Sequence, residues 1–510
     1  MSEKLRELRH RLQEIDDLRA VYNLLNWDQQ THMPVGGAEA RGRESALVAR
    51  LEHEKFTDPE MGRLLDSLVH LEQERDYDDD DASLVRVTRR LYEHATRFPT
   101  AFWSHLFEHS SRTYEAWARA RAEGDFSLVR EHLEVTLELS LELAEFNRPW
   151  EHVMDGLTWD REYGTTASQV RRLFGELVDG IVPLVKEIAE RPAPDDSFLR
   201  ATWPRQEQLA FAADVVRDLG YDFDRGRLDT TRHPFASRLS RGDVRITTRV
   251  NEGDLRECLF SAIHEAGHAM YEQGVAENLA GTPLSRRGAS HGMHESQSRL
   301  WENLVGRSKG FWEHRFSALR DAFPEQLAGV DAHTFYRAIN RVEPGTIRLF
   351  ADELTYNLHI IIRTELELDL LEGALAIRDL EEAWNAKYEA YLGVRPASAS
   401  EGVLQDVHWY GGTIVLPAII GGAFQGYALG NLIGAQLYAA AASERPALDE
   451  DIAAGRFEWL HGWLTEKVYR HGRKYLAPEL VERATGSELS TAPYLAYVRR
   501  KFGEIYDIRV

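Results

Sequence analysis

The chain has 510 residues, of which 43% are hydrophobic and 28% charged, and this composition is typical of a soluble globular protein with a large core. Its formal net charge of −22 disfavours nucleic acids and anionic membranes as partners, because both would repel it. The single cysteine, Cys258, excludes an internal disulfide framework and favours a reducing compartment. We therefore expect a cytoplasmic protein in which this thiol packs in the core.

Amphipathic helices dominate the first half of the chain, where apolar residues recur at three- and four-residue steps. The predicted helices cover residues 3–30, 38–54, 84–120, 127–150, 167–190 and 205–219. Because the first of these segments is charged throughout, it is predicted to be a helix of the protein and not a signal peptide.

Two loops interrupt this pattern, at the aspartate-rich run 76–83 and at residues 191–196. The aspartate run lacks the spaced ligands and the glycine of a calcium-binding loop, so we interpret it as a solvated loop. Neither an internal repeat nor a long flexible linker divides the chain. We therefore expect one large, mostly α-helical domain over residues 1–510, in which a helical N-terminal part, 1–200, precedes a second part, 201–510.

A short strand is predicted over residues 242–250, where Val244, Ile246 and Thr248 alternate with polar neighbours. A strand at this position could bind an extended peptide by pairing along its edge. The predicted fold is thus mostly α, with a small β-sheet directly before the motif that follows.

The segment HEAGH at 264–268 is predicted to lie on a helix. Asp254 is a candidate N-cap, with Glu257 at the capping-box position, and Gly274 is a candidate helix end. Residues four apart on a helix are neighbours, so the two histidines of this segment could bind one cation.

The metal site predicted from this segment consists of His264 and His268, while Glu265 lies about 100° around the helix, within reach of a metal-bound water. A catalytic zinc site usually has a third protein ligand and an open position. Glu295 opens the next helical pattern and would complete a His-His-Glu set suited to hydrolysis. His291 and His294 are competing candidates for the third ligand.

A segment without charged residues extends from residue 409 to residue 443, long enough to cross a bilayer. Pro417, paired glycines and several amide side chains interrupt it, and no basic flank orients it. We therefore favour a buried segment through the middle of the protein over a membrane span.

Two further groups of polar residues are candidates for the site. A helix is predicted to begin near Pro344, and four residues then recur at helical spacing on one face: Arg348, Asp352, Tyr356 and His359. They could instead form a row of surface salt bridges. Four more residues precede the uncharged segment and could contact substrate, support the site or form a structural turn: Gln405, Asp406, His408 and Trp409.

Six short motifs in the same order make the chain similar to the Taq-type (thermostable) metallocarboxypeptidases. They are His233-Pro234-Phe235, Asp243-Val-Arg245-Ile-Thr247, His264-Glu265-Ala-Gly-His268, His294-Glu295-Ser296-Gln297, residues 339–344, and Gly402-Val-Leu-Gln405-Asp406-Val-His408-Trp409. A run at 422–431, which contains Tyr427, resembles a further element of the family but follows a longer gap.

This resemblance implies a single helical domain with a deep substrate groove, covered by the N-terminal part, and a small sheet near the active site in the catalytic part, 201–510. It also implies a homodimer, one zinc or cobalt ion per chain, and broad-specificity release of single residues from peptides with a free C-terminus. An endopeptidase or another peptidase with the same His-His-Glu site is the alternative function, and a non-catalytic helical scaffold is a further one.

The expected mechanism is metal-assisted hydrolysis, with His264, His268 and Glu295 as the metal ligands and Glu265 as the general base. The remaining roles rest on the resemblance. His408 and Tyr427 are candidates for stabilising the oxyanion. Arg348 is the first candidate for binding the substrate carboxylate through a bidentate fork, followed by Arg245, and His233 is a further substrate-binding candidate.

Overall fold

The computed structural model describes residues 2–159, 161–412 and 417–509. The helices before the sheet are α1 (Glu3–Thr31), α2 (Ala38–Phe56), α3 (Pro59–Leu68), α4 (His70–Glu74), α5 (Asp80–Arg97), α6 (Thr100–Glu123), α7 (Arg130–Phe146), α8 (Val153–Leu157), α9 (Ala167–Ala189) and α10 (Arg205–Leu219). The strands are β1 (Leu228–Thr230), β2 (Ala236–Ser240) and β3 (Asp243–Thr248).

The helices after the sheet include one π-helical segment, Leu300–Gly306, which continues directly from α12. They are α11 (Leu255–Gly274), α12 (His291–Arg299), α13 (Lys309–Ala322), α14 (Ala332–Ile339), α15 (Tyr356–Leu371), α16 (Leu380–Leu392), α17 (Gln425–Glu444), α18 (Leu448–Ala453), α19 (Glu458–Lys467), α20 (Ala477–Thr485) and α21 (Ala492–Tyr506). The predicted fold class, mostly α with a small sheet, is confirmed.

Most of the predicted N-terminal helices are confirmed by α1, α2, α9 and α10, and α7 is shorter than predicted. The single helix predicted over 84–120 is wrong, because Pro99 separates α5 from α6. Phe98 is extended, as a residue before proline usually is, and the proline caps the next helix. The loop predicted over 76–83 is too long, because the Asp79 side chain accepts hydrogen bonds from two backbone N–H groups and starts α5 at Asp80.

The sheet has the strand order β1-β3-β2, with β1 parallel and β2 antiparallel to β3. The predicted strand is thus confirmed as β3, but the expectation that it pairs with an extended peptide is wrong, because both of its edges are already paired. The hydroxyl of Thr248 at the end of β3 donates to the carbonyl of Cys258 at 2.7 Å, which ties the sheet to α11. Cys258 is a free thiol in the core, as predicted.

The helix predicted to begin at Pro344 is wrong. Residues 348–350 form an isolated 3-10 turn, and α15 begins only at Tyr356. The cause is Asp352, whose carboxylate accepts hydrogen bonds from the backbone of Leu354 and Thr355 and from the Thr355 hydroxyl. Arg348 is therefore not part of a surface row of salt bridges: it is buried.

Most of the uncharged segment that the structure describes belongs to α17, which is buried along nearly its whole length. Among the described residues, none of the helices is long and apolar enough to span a bilayer. The expectation of a buried segment is confirmed for α17, while residues 413–416 of the segment lie outside the described part of the chain.

Within the main hydrophobic core, α12 packs between α11 and α17. Glycines allow this approach: a Cβ atom at Gly267 of α11 would lie 2.6 Å from the carbonyl oxygen of Gln297. On the other side, a Cβ atom at Gly430 of α17 would lie 2.7 Å from the Cβ of Glu295. Both distances are too short for a real side chain, so only glycine fits at these positions.

Candidate metal centre

The motif helix α11 begins and ends where the sequence predicts. The Asp254 side chain caps it by accepting a hydrogen bond of 2.9 Å from the N–H of Arg256, and Gly274 is its last residue. The predicted capping box does not form, because Glu257 instead accepts a hydrogen bond from the Asn251 amide. Nearly all of α11 is buried between β3, α10 and α12.

His264 and His268 on α11 and Glu295 on α12 lie together with their ligand atoms within 4.8 Å of one another. The Nε2 atoms of His264 and His268 lie 3.6 and 3.4 Å from the same carboxylate oxygen, Oε2 of Glu295. Two ligand atoms about 2.1 Å from one tetrahedral zinc ion are about 3.4 Å apart. The three side chains therefore fit a single tetrahedral metal ion with one open position.

The far nitrogen of each histidine is held by a hydrogen bond. Nδ1 of His264 donates to Oε2 of Glu302 at 2.9 Å, and Nδ1 of His268 donates to the backbone oxygen of His294 at 3.0 Å. Protons on both Nδ1 atoms leave the Nε2 lone pairs free for a metal, as in many histidine-metal sites. Sequence reasoning missed Glu302, although its position two helical turns after Glu295 is a signal that could have found it.

Neither of the two competing histidines belongs to this cluster, although Nδ1 of His294 lies 2.7 Å from Nδ1 of His268. His294 lies behind His268, where its Nε2 atom is 3.0 Å from the carboxylate of Glu272. His291 packs edge-on against the ring of Tyr427, with the ring centroids 4.8 Å apart. Within the described residues, Glu295 is therefore the third member of the cluster.

Glu265 is buried beside this cluster, and its carboxylate makes no hydrogen bond to the described residues. Burial raises the pKa of Glu265 to about 7, and the negative charge of Glu295 adds to this shift. A carboxyl group with a pKa near 7 can both accept and return a proton at neutral pH, as a general base and acid must.

Arg348 lies in a second buried group of charges. Its Nη2 and Nε atoms donate to Oδ1 of Asp406 at 2.7 and 3.1 Å. Nε of Arg363 donates to the other oxygen of the same carboxylate at 2.6 Å. Burial opposes ionisation of Asp406, but the two guanidinium groups outweigh it and hold its pKa far below the usual range. Two cations thus share one anion, and the group carries a net positive charge.

A chain of contacts connects the two groups. Arg299 donates from Nε to Oε1 of Glu295 at 2.8 Å, and its guanidinium lies 4.3 Å from the ring centroid of Tyr356. The hydroxyl of Tyr356 is 3.4 Å from Nη1 of Arg348. The positively charged group therefore adjoins the metal cluster.

His408 and Tyr427 lie in the Arg348 group. The Nδ1 atom of His408 is 4.0 Å from Asp406, and burial lowers the pKa of this imidazole to about 3, so the ring is neutral. The guanidinium of Arg348 lies 5.6 Å from the ring centroid of Tyr427. Burial raises the pKa of Tyr427 to about 12, although Arg348 opposes the shift, so the hydroxyl keeps its proton at neutral pH.

The other two sequence candidates lie elsewhere. Arg245 donates from Nε and Nη2 to the two carboxylate oxygens of Asp243, both at 2.8 Å. Its guanidinium also lies 4.3 Å from the ring centroid of Trp27 on α1. His233 is exposed in the loop between β1 and β2. The structure thus brings Arg348, His408 and Tyr427 together and places Arg245 against α1.

Comparison with known proteins agrees with this geometry. Residues 7–502 match the sequence model of the family described as carboxypeptidase Taq (M32) metallopeptidase. The chain is 40% identical over 499 residues to thermostable carboxypeptidase 1 of Thermus thermophilus, with 96% of each chain covered. It is 38% identical over 496 residues to carboxypeptidase 1 of Bacillus subtilis, with 97% of each chain covered.

Solved structures show the same fold. The crystal structure of the M32 carboxypeptidase from Deinococcus radiodurans R1 has a TM-score of 0.95 and 48% identity, covering 99% of this chain and 100% of that one. The apo-Mg structure of the Pyrococcus furiosus carboxypeptidase has a TM-score of 0.93 and 32% identity, covering 98% and 99%. These findings confirm the resemblance and, with it, the enzyme class of metallocarboxypeptidase. The chain therefore belongs to the carboxypeptidase Taq (M32) metallopeptidase family.

Proposed function

We propose that this enzyme releases single amino acids from the C-termini of peptides, with broad specificity, by hydrolysis at one zinc or cobalt ion held by His264, His268 and Glu295. The observation that carries the proposal is the buried, positively charged group of Arg348, Arg363 and Asp406 beside the His-His-Glu cluster. It combines a hydrolytic metal site with a site for an anion, which is what an enzyme that acts on a free carboxyl terminus requires.

When bound, the divalent ion would supply Lewis-acid chemistry, activating a water and polarising the scissile carbonyl. Glu265 accepts the proton of the attacking water and returns it to the leaving amine. Its burial, and a carboxylate that accepts no hydrogen bond from the described part of the chain, support this role. Glu302 holds His264 in the tautomer that leaves Nε2 free.

The substrate carboxylate would bind at Arg348. Asp406 takes the Nε and Nη2 edge of this guanidinium, and among the described residues Nη1 has only a long contact of 3.4 Å to the Tyr356 hydroxyl. Because Arg363 also neutralises Asp406, an incoming carboxylate meets a net positive charge in a buried setting where charges interact strongly. Arg245, already paired with Asp243, and the exposed His233 remain candidates for contacts farther along the peptide.

Tyr427 and His408 would stabilise the oxyanion that forms during attack. Tyr427 retains its phenolic proton at neutral pH and can donate it in a hydrogen bond. His408 is a neutral imidazole that lies beside Asp406. The centroid of its ring is 4.7 Å from that of Phe424. We further propose a homodimer in the cytoplasm, with the N-terminal helices covering the substrate groove.

Mass spectrometry of a mixed peptide pool tests the proposal. The pool, incubated with protein loaded with zinc or cobalt, contains each peptide with a free C-terminus, an amidated C-terminus or an acetylated N-terminus. We expect stepwise loss of single C-terminal residues from the free and acetylated peptides and resistance of the amidated ones. Internal cleavage of amidated peptides would support an endopeptidase, and no cleavage at all would support a non-catalytic scaffold.

A further inference from the structure

We propose that Arg299 is a positioning residue that restricts Glu295 to a single ligating oxygen and so keeps one coordination position open for substrate. This inference rests on the proposed metal site. Arg299 follows Glu295 by one helical turn at the end of α12, and its largely buried side chain lies beside the π-helical segment and Tyr356.

The two oxygens of Glu295 have different surroundings. Oε2 faces both histidines, with Nε2 of His268 at 3.4 Å and Nε2 of His264 at 3.6 Å. Oε1 accepts the 2.8 Å hydrogen bond from Nε of Arg299. A charged hydrogen bond to the second oxygen competes with the metal for that oxygen and so favours binding through the other oxygen alone.

Arg299 also separates two carboxylates. Its Nη1 atom lies 3.5 Å from Oε2 of Glu302, the group that orients His264, while its Nε atom binds Glu295. Two different nitrogens of one guanidinium thus orient the two carboxylates separately. The guanidinium carbon also lies 4.3 Å from the ring centroid of Tyr356, a cation–π contact that restrains the guanidinium. Lysine, a point charge without a planar fork, cannot hold both carboxylates in this way.

The open coordination position of the metal depends on this hydrogen bond. Without Arg299, Oε1 of Glu295 loses its partner, and both oxygens can turn towards the ion. Zinc sites accept a fifth ligand atom, so a bidentate Glu295 would fill the space that substrate or water needs. Loss of Arg299 should therefore reduce turnover while the metal stays bound.

Cobalt-loaded Arg299→Met tests the inference, because methionine keeps the length and packing of the side chain and removes its charge. The visible absorption of Co²⁺ weakens as its coordination number rises. We expect Arg299→Met to bind one Co²⁺ per chain, with weaker visible absorption than the wild type and a kcat about 10- to 100-fold lower. Arg299→Lys should recover only part of both signals.

Arg315→Met is the matched control. Arg315 is equally buried, with 10% of its side chain exposed against 14% for Arg299. It also pairs with two carboxylates, Asp214 and Asp218, and lies over an aromatic ring, that of Phe211. This substitution should lower thermal stability without changing the cobalt spectrum, because Arg315 has no contact with the metal cluster.

The outcomes separate the inference from the proposed function. An unchanged spectrum and unchanged kcat in Arg299→Met would overturn the inference while the wild type still binds cobalt and cleaves peptides. Loss of the metal from a folded Arg299→Met would also overturn it, since Arg299 would then support metal binding as such. If this variant does not fold, Arg299→Gln carries the same test. Failure of the wild type to bind metal or to cleave peptides would overturn the proposed function itself.

Discussion

Nδ1 of His264 donates a hydrogen bond of 2.9 Å to the carboxylate of Glu302, which connects α11 to the π-helical segment after α12. Burial opposes ionisation of Glu302, but this hydrogen bond and the charge of Arg299 hold its pKa at about 2. π-Helical segments often occur at functional sites, and this one carries the group that fixes the tautomer of a candidate metal ligand.

Glu302→Gln is expected to weaken metal binding by about 10- to 100-fold, because the amide can still accept the hydrogen bond but lacks the charge that makes His264 a stronger ligand. Competition with a chelator of known affinity measures the change. Glu313→Gln, on α13, serves as the control substitution. Equal affinity in Glu302→Gln and wild type would show that this carboxylate has no influence on the metal.

Replacement of His264 or His268 by alanine is expected to remove most of the metal, because each change deletes one of the three proposed ligands. Metal content per chain after dialysis, measured by mass spectrometry, reports the result. His291→Ala is the matched control and should retain the metal, since His291 packs against Tyr427 instead of joining the cluster. Full occupancy in both ligand variants would move the site elsewhere.

Glu265→Gln is expected to keep the metal and the fold and to lower kcat by about 10²- to 10⁴-fold, the usual contribution of a positioned acid–base group. The amide preserves the shape of the side chain but cannot accept a proton. Metal content and circular dichroism are measured alongside kcat. A variant that retains more than about a tenth of the wild-type kcat would exclude Glu265 as the base.

Arg348→Ala is expected to lower kcat/KM on peptides with a free C-terminus by about 10- to 150-fold, since a hydrogen bond to a charged group is worth roughly 1.5–3 kcal/mol. Arg348→Lys should recover part of the loss. The amidated form of the same peptide is the control, because it offers no carboxylate. If the ratio of free to amidated cleavage does not change, the carboxylate binds elsewhere, and Arg245 becomes the next residue to test.

Glu367→Gln is expected to change how stability depends on pH. Burial raises the pKa of Glu367 to about 7 from 4.5, although a hydrogen bond from Trp409 opposes the shift. The stability that this group contributes is therefore present below pH 4.5 and lost as the pH rises through 7.

Relative to wild type, Glu367→Gln should gain stability between these two pH values, by up to about 3 kcal/mol. Urea unfolding at pH 5 and pH 8 measures the difference, and the same substitution at the exposed Glu142 controls for the chemistry of the change. A constant difference between variant and wild type at the two pH values would contradict the pKa of Glu367.

The sequence predicts local features of this protein better than its long-range pairs. The positions of α1 and α10 follow from amphipathic spacing, and the juxtaposition of His264 and His268 follows from helix geometry. The break at Pro99 was also readable in principle, because proline disfavours helix in the residue before it.

By contrast, the partners of Arg348 could not be read from spacing. Asp406 is 58 residues away in the chain, and only the packing of the turn at 348–350 against the segment before α17 brings the two together. The nearer acidic residue, Asp352, instead accepts hydrogen bonds from the backbone N–H groups of Leu354 and Thr355, just before α15. Buried charge pairs of this kind depend on tertiary structure, on which helical periodicity carries no information.

The glycine contacts on both sides of α12 have a consequence for the choice of metal. Gly267 lies directly against the main chain of α12, and Gly430 lies against the first carbons of the Glu295 side chain. No flexible group is therefore present at these contacts to absorb a displacement of α12. The candidate ligands are consequently preorganised in the metal-free protein, and metal binding requires little rearrangement. Zinc and cobalt accept the same donor atoms at similar distances, so either ion would fit such a preorganised site. The availability of each metal in the cell would then decide which of them is bound.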